Sequence, residues 1–419
     1  MQMKKIFYWT LACVVVLASC KKYNSLGFTP GKGAPTITSV HTLSKTDTAA
    51  ANRQVLTLDS SGKVDTTNLA YSGQPYAFDS VTDAGNLGEY VVLYGSNLGS
   101  ATTVSFNGNN AYFDRAWMTD NTLIVEIPSN TPTYGAAAND TLTVTTLYGK
   151  VSYHFVVLPP PPTIQAVTDY DFWNGSQITL TGLGFADVTS IGLTNSNAAV
   201  TIVSQNDSTL VLSFPSTTIS RANLVFNYMY NGAPTKLTST QEFVDLDNAY
   251  NLFAFGAFQN GFGDWSWTHP STPNPVTGPT HSYGQTQSFE LVFPNGSWQM
   301  EGFGTGSAAG QQIFSTYTYY TFWIYGGVQT ETITISANQL PYVWQQPTVA
   351  GIFTITVPPG VWSYFKIPIG GGAGQIPFVP AATAQANMNA AGNNLVSWFI
   401  PGPNGVNETF YVDEVAFVK

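Results

Sequence analysis

Seven of the ten tryptophans fall in the last 171 of 419 residues, at positions 265, 267, 298, 323, 344, 362 and 398. An indole has a flat apolar face and one ring N–H, so it is seldom fully buried and suits surfaces that are part apolar and part wet. In Asp264-Trp265-Ser266-Trp267-Thr268 an extended chain puts both indoles on one face, about 7 Å apart, with the polar residues opposite, a pattern that fits either a platform or a core edge. Trp298 lies in Asn295-Gly296-Ser297-Trp298-Gln299-Met300-Glu301, where a turn presents an aromatic beside amide and carboxylate groups. Between Tyr317 and Tyr325 alternation separates Tyr320, Phe322 and Ile324, which read as core, from Tyr317, Tyr319, Thr321, Trp323 and Tyr325, which read as an open ligand platform. Trp344 sits in a loop beside the amides of Gln345 and Gln346, whereas Trp362 precedes a strand and is expected to pack inside.

A single tryptophan is more often core than platform, but seven in one segment shift the balance toward a binding surface. The partner such faces fit is a sugar ring, with C–H groups on its faces and hydroxyls at its rim. Hiding about 60 to 100 Å² per stacked sugar contributes ~1.5 to 2.5 kcal/mol at ~25 cal/mol per Å². The expected platform is Trp265, Trp267, Trp298, Trp323 and Trp344, with amides such as Gln299, Gln345 and Gln346 to read hydroxyls without net charge. Glycosidases ordinarily need two carboxylates about 5 to 10 Å apart. Glu290 and Glu301, on consecutive strands beside Trp298, are the best such pair among seven acidic residues after position 248, although solvated or hydroxyl-binding roles demand less geometry. The four histidines, His41, His154, His269 and His281, are scattered, and neither a zinc-ligand spacing nor a serine nucleophile elbow is present. Strict alternation puts Asp413 with Tyr411, Val415 and Phe417 on an inward face. A buried carboxylate needs partners, and with no arginine after residue 248 backbone N–H groups or water are the expected ones.

The elements that must position these residues are strands. Only 9% of the chain is charged, 14% is aromatic, and 38 Gly with 25 Pro punctuate short runs rich in Thr, Ser and Val. The net charge of −10 and the lack of any basic cluster beyond Lys4-Lys5 and Lys21-Lys22 exclude nucleic acid as a natural partner. An internal repeat is visible: Pro35-Thr36-Ile37 matches Pro162-Thr163-Ile164, Leu93-Tyr94-Gly95 matches Leu180-Thr181-Gly182, and Thr122 to Pro128 matches Thr209 to Pro215. Gly95 to Pro128 and Gly182 to Pro215 both span 33 residues, whereas Pro35 to Gly95 spans 60 and Pro162 to Gly182 only 20, so the first repeat carries a 40-residue insertion. The run Pro159 to Pro162 favours a stiff polyproline II link between the repeats. After Asn248 the composition shifts: the last 171 residues hold 31 of 58 aromatics but only two basic groups, Lys366 and Lys419. Strands are expected at Ser288–Phe293, Tyr317–Tyr325, Thr332–Ser336, Phe353–Val357, Tyr364–Ile367 and Thr409–Val418, with one short helix at Ala381–Ala391. The fold class is therefore all-β, with half-buried antiparallel sheet in the two repeats and a jelly-roll sandwich after them.

The repeats, through "YGSNLG" and "TGLGF", resemble immunoglobulin-like IPT/TIG domains, which implies that each is an immunoglobulin-like β-sandwich, a spacer without chemistry of its own. At the N-terminus, Met3-Lys4-Lys5, the apolar run Ile6 to Leu17 and Leu17-Ala18-Ser19-Cys20 form a secretory signal whose last four residues resemble a bacterial lipobox. That implies cleavage before Cys20, lipidation of its thiol, and no internal disulfide, since Cys13 leaves with the signal. The C-terminal segments Asn251-Leu252-Phe253, Gly263 to Trp267, Trp298, Trp344, Gly360 to Pro368 and Phe410 to Val415 are similar to the glycan-binding domain of Bacteroidetes surface glycan-binding proteins, the xyloglucan-binding B type among them. The resulting organisation is 1–19 signal, 20–34 lipidated stalk, 35–159 first repeat with its insertion at about 41–88, 160–246 second repeat, and 249–419 C-terminal glycan-binding sandwich. The resemblance implies an outer-membrane lipoprotein on the cell exterior. It would capture polysaccharide, xyloglucan or another β-glucan, for a TonB-dependent transporter and its companion glycan receptor, without catalysis. In one respect the chain departs from that group: Lys21-Lys22-Tyr23-Asn24 stands where exported members commonly carry acidic residues. Related jelly-roll modules often hold a structural calcium near a terminal-strand aspartate, which implies calcium near Asp413. A surface glycosidase or lyase and a protein-binding adhesin stay open as alternatives.

Overall fold

The structure is a computed structural model that describes residues 28–46, 54–58, 64–68, 75–77, 79–230, 233–295, 300–305, 316–337, 352–370, 374–376, 394–400 and 405–419. Cys20, Trp298, Trp344 and the helix expected at Ala381–Ala391 lie outside the described residues. The chain divides into two compact units, Met1–Pro160 and Pro161–Lys419, with the boundary inside the proline run. Among the described residues the helical ones are confined to short 3-10 turns such as Leu246–Asn248.

In the first unit a three-stranded sheet of Thr36–Thr42, Tyr90–Ser96 and Thr122–Glu126 shares one core with a four-stranded sheet of Gly149–His154, Thr141–Thr146, Ala101–Phe106 and Asn109–Ala111. Alternation drives this packing: Leu123 and Val125 face Leu142 and Val144 across the core while their neighbours look outward. His154 is exposed at the end of its strand, as its alternation requires. In the second unit Thr163–Val167, Gln177–Leu183, Thr209–Ser213, Ala199–Gln205, Val188–Leu193, Arg221–Tyr230, Ala233–Asp245 and Asp171–Phe172 follow one another in an eight-stranded sheet around a separate core.

The repeat seen in the sequence is a repeat in register. Ile37 pairs with Gly95 and Ile164 with Gly182, each followed at once by a β-bulge. Both glycines are required by closeness, because a Cβ would stand 1.9 Å from the Thr36 carbonyl oxygen at position 95 and 1.8 Å from that of Thr163 at position 182. Each repeat also closes with a short parallel pair, Ala84–Asn86 on Val156–Leu158 and Asp171–Phe172 on Val244 and Asp245. Thr36 to Ala84 is 48 residues and Thr163 to Asp171 only 8, so the 40 extra residues fall between the first strand and this pair. Part of them forms two antiparallel ladders, Ser44–Thr46 with Pro75–Ala77 and Gln54–Leu58 with Val64–Asn68.

The C-terminal sandwich packs a seven-stranded sheet (Ala257–Phe258, Tyr250–Ala254, Glu408–Val418, Gln287–Phe293, Val276–Thr277, Tyr319–Tyr325, Trp362–Pro368) on a five-stranded one (Gly263–Asp264, Met300–Thr305, Asn394–Phe399, Glu331–Ala337, Ile352–Val357). Phe289, Phe322 and Val412 from the first sheet meet Phe303, Ile333 and Ile355 from the second in a common core, with Phe289 and Phe303 ring centroids 4.3 Å apart. The six expected strands are present, each within two residues of its expected ends.

Strict alternation fails in Glu408–Val418. Glu414 adopts a left-handed φ of 51° at an irregularity in the pairing with Tyr319–Tyr325, a bulge that inserts one residue and switches faces. Phe410 and Val412 before it, and Val415 and Phe417 after it, therefore all enter the core. Asp413 is buried on the opposite side of the sheet, away from Val415 and Phe417 with which alternation had grouped it.

Candidate functional site

Residues 263 to 268 run along the strand Met300–Thr305 and form the edge of its sheet. Gly263 pairs with Gly304 and Asp264 with Phe303, the Trp265 N–H donates to the Gly302 carbonyl (3.0 Å), and the Gly302 N–H donates to Ser266 Oγ (3.1 Å). Ser266 is buried, while Trp265 and Trp267 on either side are 37% and 50% exposed. Both indoles therefore share the outer face, as the extended reading requires. Trp265 lies flat on glycine: a Cβ at position 304 would come within 2.2 to 2.7 Å of three atoms of its ring.

The segment is held from beneath by polar groups. Asp264 Oδ1 accepts from the Ser266 N–H (3.0 Å); its Oδ2 accepts from Asn274 Nδ2 (2.8 Å) and faces His269 Nδ1 at 3.2 Å. Asn274 in turn donates to the Glu290 carbonyl and accepts from the Glu290 N–H, tying the loop to the opposite sheet. Glu301 Oε1 accepts from the Thr268 N–H (3.2 Å), and its Oε2 is buried without a partner. Burial pushes the Glu301 carboxyl up to about 8, so it is neutral at physiological pH. With no exposed surface, Glu301 cannot flank a substrate. Glu290, its expected partner in catalysis, belongs to the other sheet, where Tyr411 donates to it (3.4 Å). What the outer face offers is two indoles on a braced backbone with little free charge.

Trp323 is corrected by the structure. It is 6% exposed, its indole N–H donates to Asp169 Oδ1 (3.1 Å), and it stacks between His281 (3.6 Å) and Tyr170 (6.2 Å). Two further members of the expected platform face are covered as well: Thr321 is fully buried, and Tyr319 lies under Arg221 and Lys366, 5.0 and 4.3 Å from its ring centre, while Tyr317 and Tyr325 are half-buried. The cover is the second repeat. Lys366 and Arg221 both pair with Glu242, and Val244, Leu246, Ala254, Ala416 and Val418 form a small apolar core between the two sandwiches. Burying an indole contributes roughly 2 to 3 kcal/mol, about as much as stacking one sugar, so residue type alone does not separate the two fates. Trp362, expected inside, is half-buried and edge-on to His281 and Tyr325.

Beside Trp323 lies a cluster that spacing in the sequence does not reveal: Asp169, Asp171, His281, Asp413 and Glu414. Asp413 is satisfied as a buried carboxylate must be. Its Oδ2 accepts from Thr280 Oγ1 and from the N–H groups of His281 and Ser282 (2.8, 3.0 and 3.1 Å), and its Oδ1 from Ser282 Oγ and the Glu414 N–H. Asp171 and Glu414 each spend one oxygen on a protein donor and leave the second bare: Asp171 Oδ1 accepts from Tyr364 (3.1 Å) and Glu414 Oε1 from Ser282 (2.7 Å). Asp169 Oδ1 accepts from Trp323 and from the Asp171 N–H (2.9 Å), and its Oδ2 faces His281 Nδ1 at 3.4 Å. Burial, reinforced by their mutual repulsion, holds the Asp171 and Glu414 carboxyls well above the usual range. The acidic Asp169-Tyr170-Asp171 run, polar residues alternating with an aromatic, is the one local signal that could have marked this place.

No family model matches the chain. Over 128 residues, 30% of its length, it is 27% identical to an IPT/TIG domain-containing protein of Bacteroides ovatus, and the match spans about a quarter (26%) of that protein. Among solved structures it is similar to a surface glycan-binding protein, PbSGBP-B, from Prevotella bryantii (15% identity, TM-score 0.46, covering 93% of this chain and 99% of that one). It is also similar to an SGBP-B from a complex xyloglucan utilization locus in Bacteroides uniformis (15%, TM-score 0.36, 80% and 96%). A third such structure is the Bacteroides ovatus mixed-linkage glucan utilization locus SGBP-B in complex with mixed-linkage heptasaccharide (12%, TM-score 0.31, 93% of each chain).

Proposed function

We propose that this protein is a non-catalytic, cell-surface polysaccharide-binding lipoprotein whose glycan stacks on Trp265 and Trp267. The observation that carries this reading is the exposed indole pair on a backbone clamped to a sheet edge, one ring seated on Gly304. Preorganised rings lose little freedom on binding, and the neutral Glu301 beneath them suits an uncharged ligand. Two stacks give ~3 to 5 kcal/mol gross, from which immobilisation subtracts, so single-site binding in solution is weak, about micromolar to millimolar. Anchoring through a lipid on Cys20, in the outer membrane facing outward, offsets this by effective concentration. Xyloglucan or another β-glucan is the proposed ligand class, delivered to a TonB-dependent transporter and its companion receptor. Trp298 and Trp344, which lie outside the described residues, are further candidates for stacking glycan.

Retention in native gels loaded with xyloglucan, mixed-linkage β-glucan or unrelated polysaccharides tests the reading. Trp265→Ala and Trp267→Ala should each weaken retention and the double variant abolish it, with the circular dichroism unchanged. Full retention by the double variant would sink the assignment. New reducing ends on incubation with the bound polysaccharide would instead make the protein an enzyme.

A further inference from the structure

We propose that Asp169, His281 and Glu414 form a divalent-cation site, best matched by zinc, that pins the second repeat to the C-terminal sandwich. His281 Nδ1 lies 3.4 Å from Asp169 Oδ2 and 3.7 Å from Glu414 Oε2, and one donor atom from each residue lies within 4.8 Å of the others. Two ligands about 2.0 to 2.2 Å from a tetrahedral zinc stand roughly 3.3 to 3.6 Å apart, so the three side chains would fill three of its four positions after an inward adjustment, with water in the fourth. His281 Nδ1 and Glu414 Oε2 are buried without a hydrogen-bond partner, and Asp171 Oδ2 in the same cluster is bare too.

The surroundings are those of a ligand set held for an ion. Trp323 and Ser282 each hold one oxygen of Asp169 and Glu414, leaving the other oxygen of each for the cation, as outer partners of metal ligands do. His281 is fixed by stacking on Trp323 and by the edge of Trp362. Asp169, Asp171, Asp413 and Glu414 are all buried, the C-terminal sandwich has no arginine, and Lys366 is engaged by Glu242, so the His281 imidazole, not a lysine or arginine, faces the oxygens of Asp169 and Glu414. An imidazole nitrogen with carboxylates favours zinc over calcium, which takes six to eight oxygens.

Metal content of the purified full chain, measured by mass spectrometry before and after EDTA, tests this without any glycan and so stands apart from the binding assays. One zinc per chain is expected, lost with EDTA. Re-addition of zinc should raise Tm by about 5 to 10 °C at ~100-fold excess over its Kd. His281→Gln should abolish both the stoichiometry and the shift. If that variant does not fold, cobalt substitution of the wild type decides, a tetrahedral visible spectrum being expected. Absence of stoichiometric metal, with no Tm response to zinc, manganese or calcium, would show that shared protons hold the cluster and overturn the proposal. Calcium bound in place of zinc would overturn the choice of ion.

Discussion

Glu301 shows how a single residue can be read correctly in type and wrongly in role. Its neighbourhood to Trp298 in sequence suggests a catalytic carboxylate, yet its side chain points inward beneath the tryptophan segment, where it props Thr268. Burial raises its carboxyl from 4.5 to about 8, so the folded state holds a proton that the unfolded chain releases. Its stabilising contribution is complete below pH 4.5 and is lost as pH rises through about 8. Glu301→Gln should therefore flatten the fall of Tm between pH 6 and pH 9 and melt above the wild type at pH 9. A variant whose Tm tracks the wild type across that range would show that Glu301 is ionised in the fold. Asp413 is the complementary case: the need for backbone partners follows from its burial, but which loop supplies them, Thr280 to Ser282, does not.

At the scale of elements, period-two patterning fixes the strands and their core faces wherever the chain stays regular, as in Gln287–Phe293 and Tyr319–Tyr325. It loses track at the Glu414 bulge, because one inserted residue with a left-handed φ inverts every later side chain. The edge pair of Gly263–Asp264 and Met300–Thr305 is the element on which the site depends. Gly304→Ala brings a methyl into the Trp265 ring, and an indole buttressed on one side cannot yield at low cost. That substitution should weaken polysaccharide retention by several-fold while leaving the circular dichroism unchanged, although it removes no group that touches ligand. Unaltered retention would mean that Trp265 can shift without loss and is not a fixed stacking face.

Across the second unit, the strongest consequence is mechanical coupling of repeat and sandwich. Asp169 with Trp323, Asp171 with Tyr364, Glu242 with Lys366, and the apolar group around Val244 and Ala416 all cross between them. Residues 161–419 should accordingly unfold in one transition, followed regionally by hydrogen exchange during thermal melting. Trp323→Phe should lower that transition while preserving glycan retention in the folded protein; separate melting of the two sandwiches would contradict the coupling. The sequence by itself determined the all-β class, the repeats, the insertion length and the shared face of Trp265 and Trp267, because alternation, turn residues and spacing are local properties of the chain. Only the tertiary structure decided that Trp323 faces a neighbouring sandwich instead of a ligand, and that Asp169, His281 and Glu414 meet. A Tyr/Trp-rich face has the same composition whether it covers sugar or another domain, and residues far apart in sequence acquire a common site only when the sheets pack.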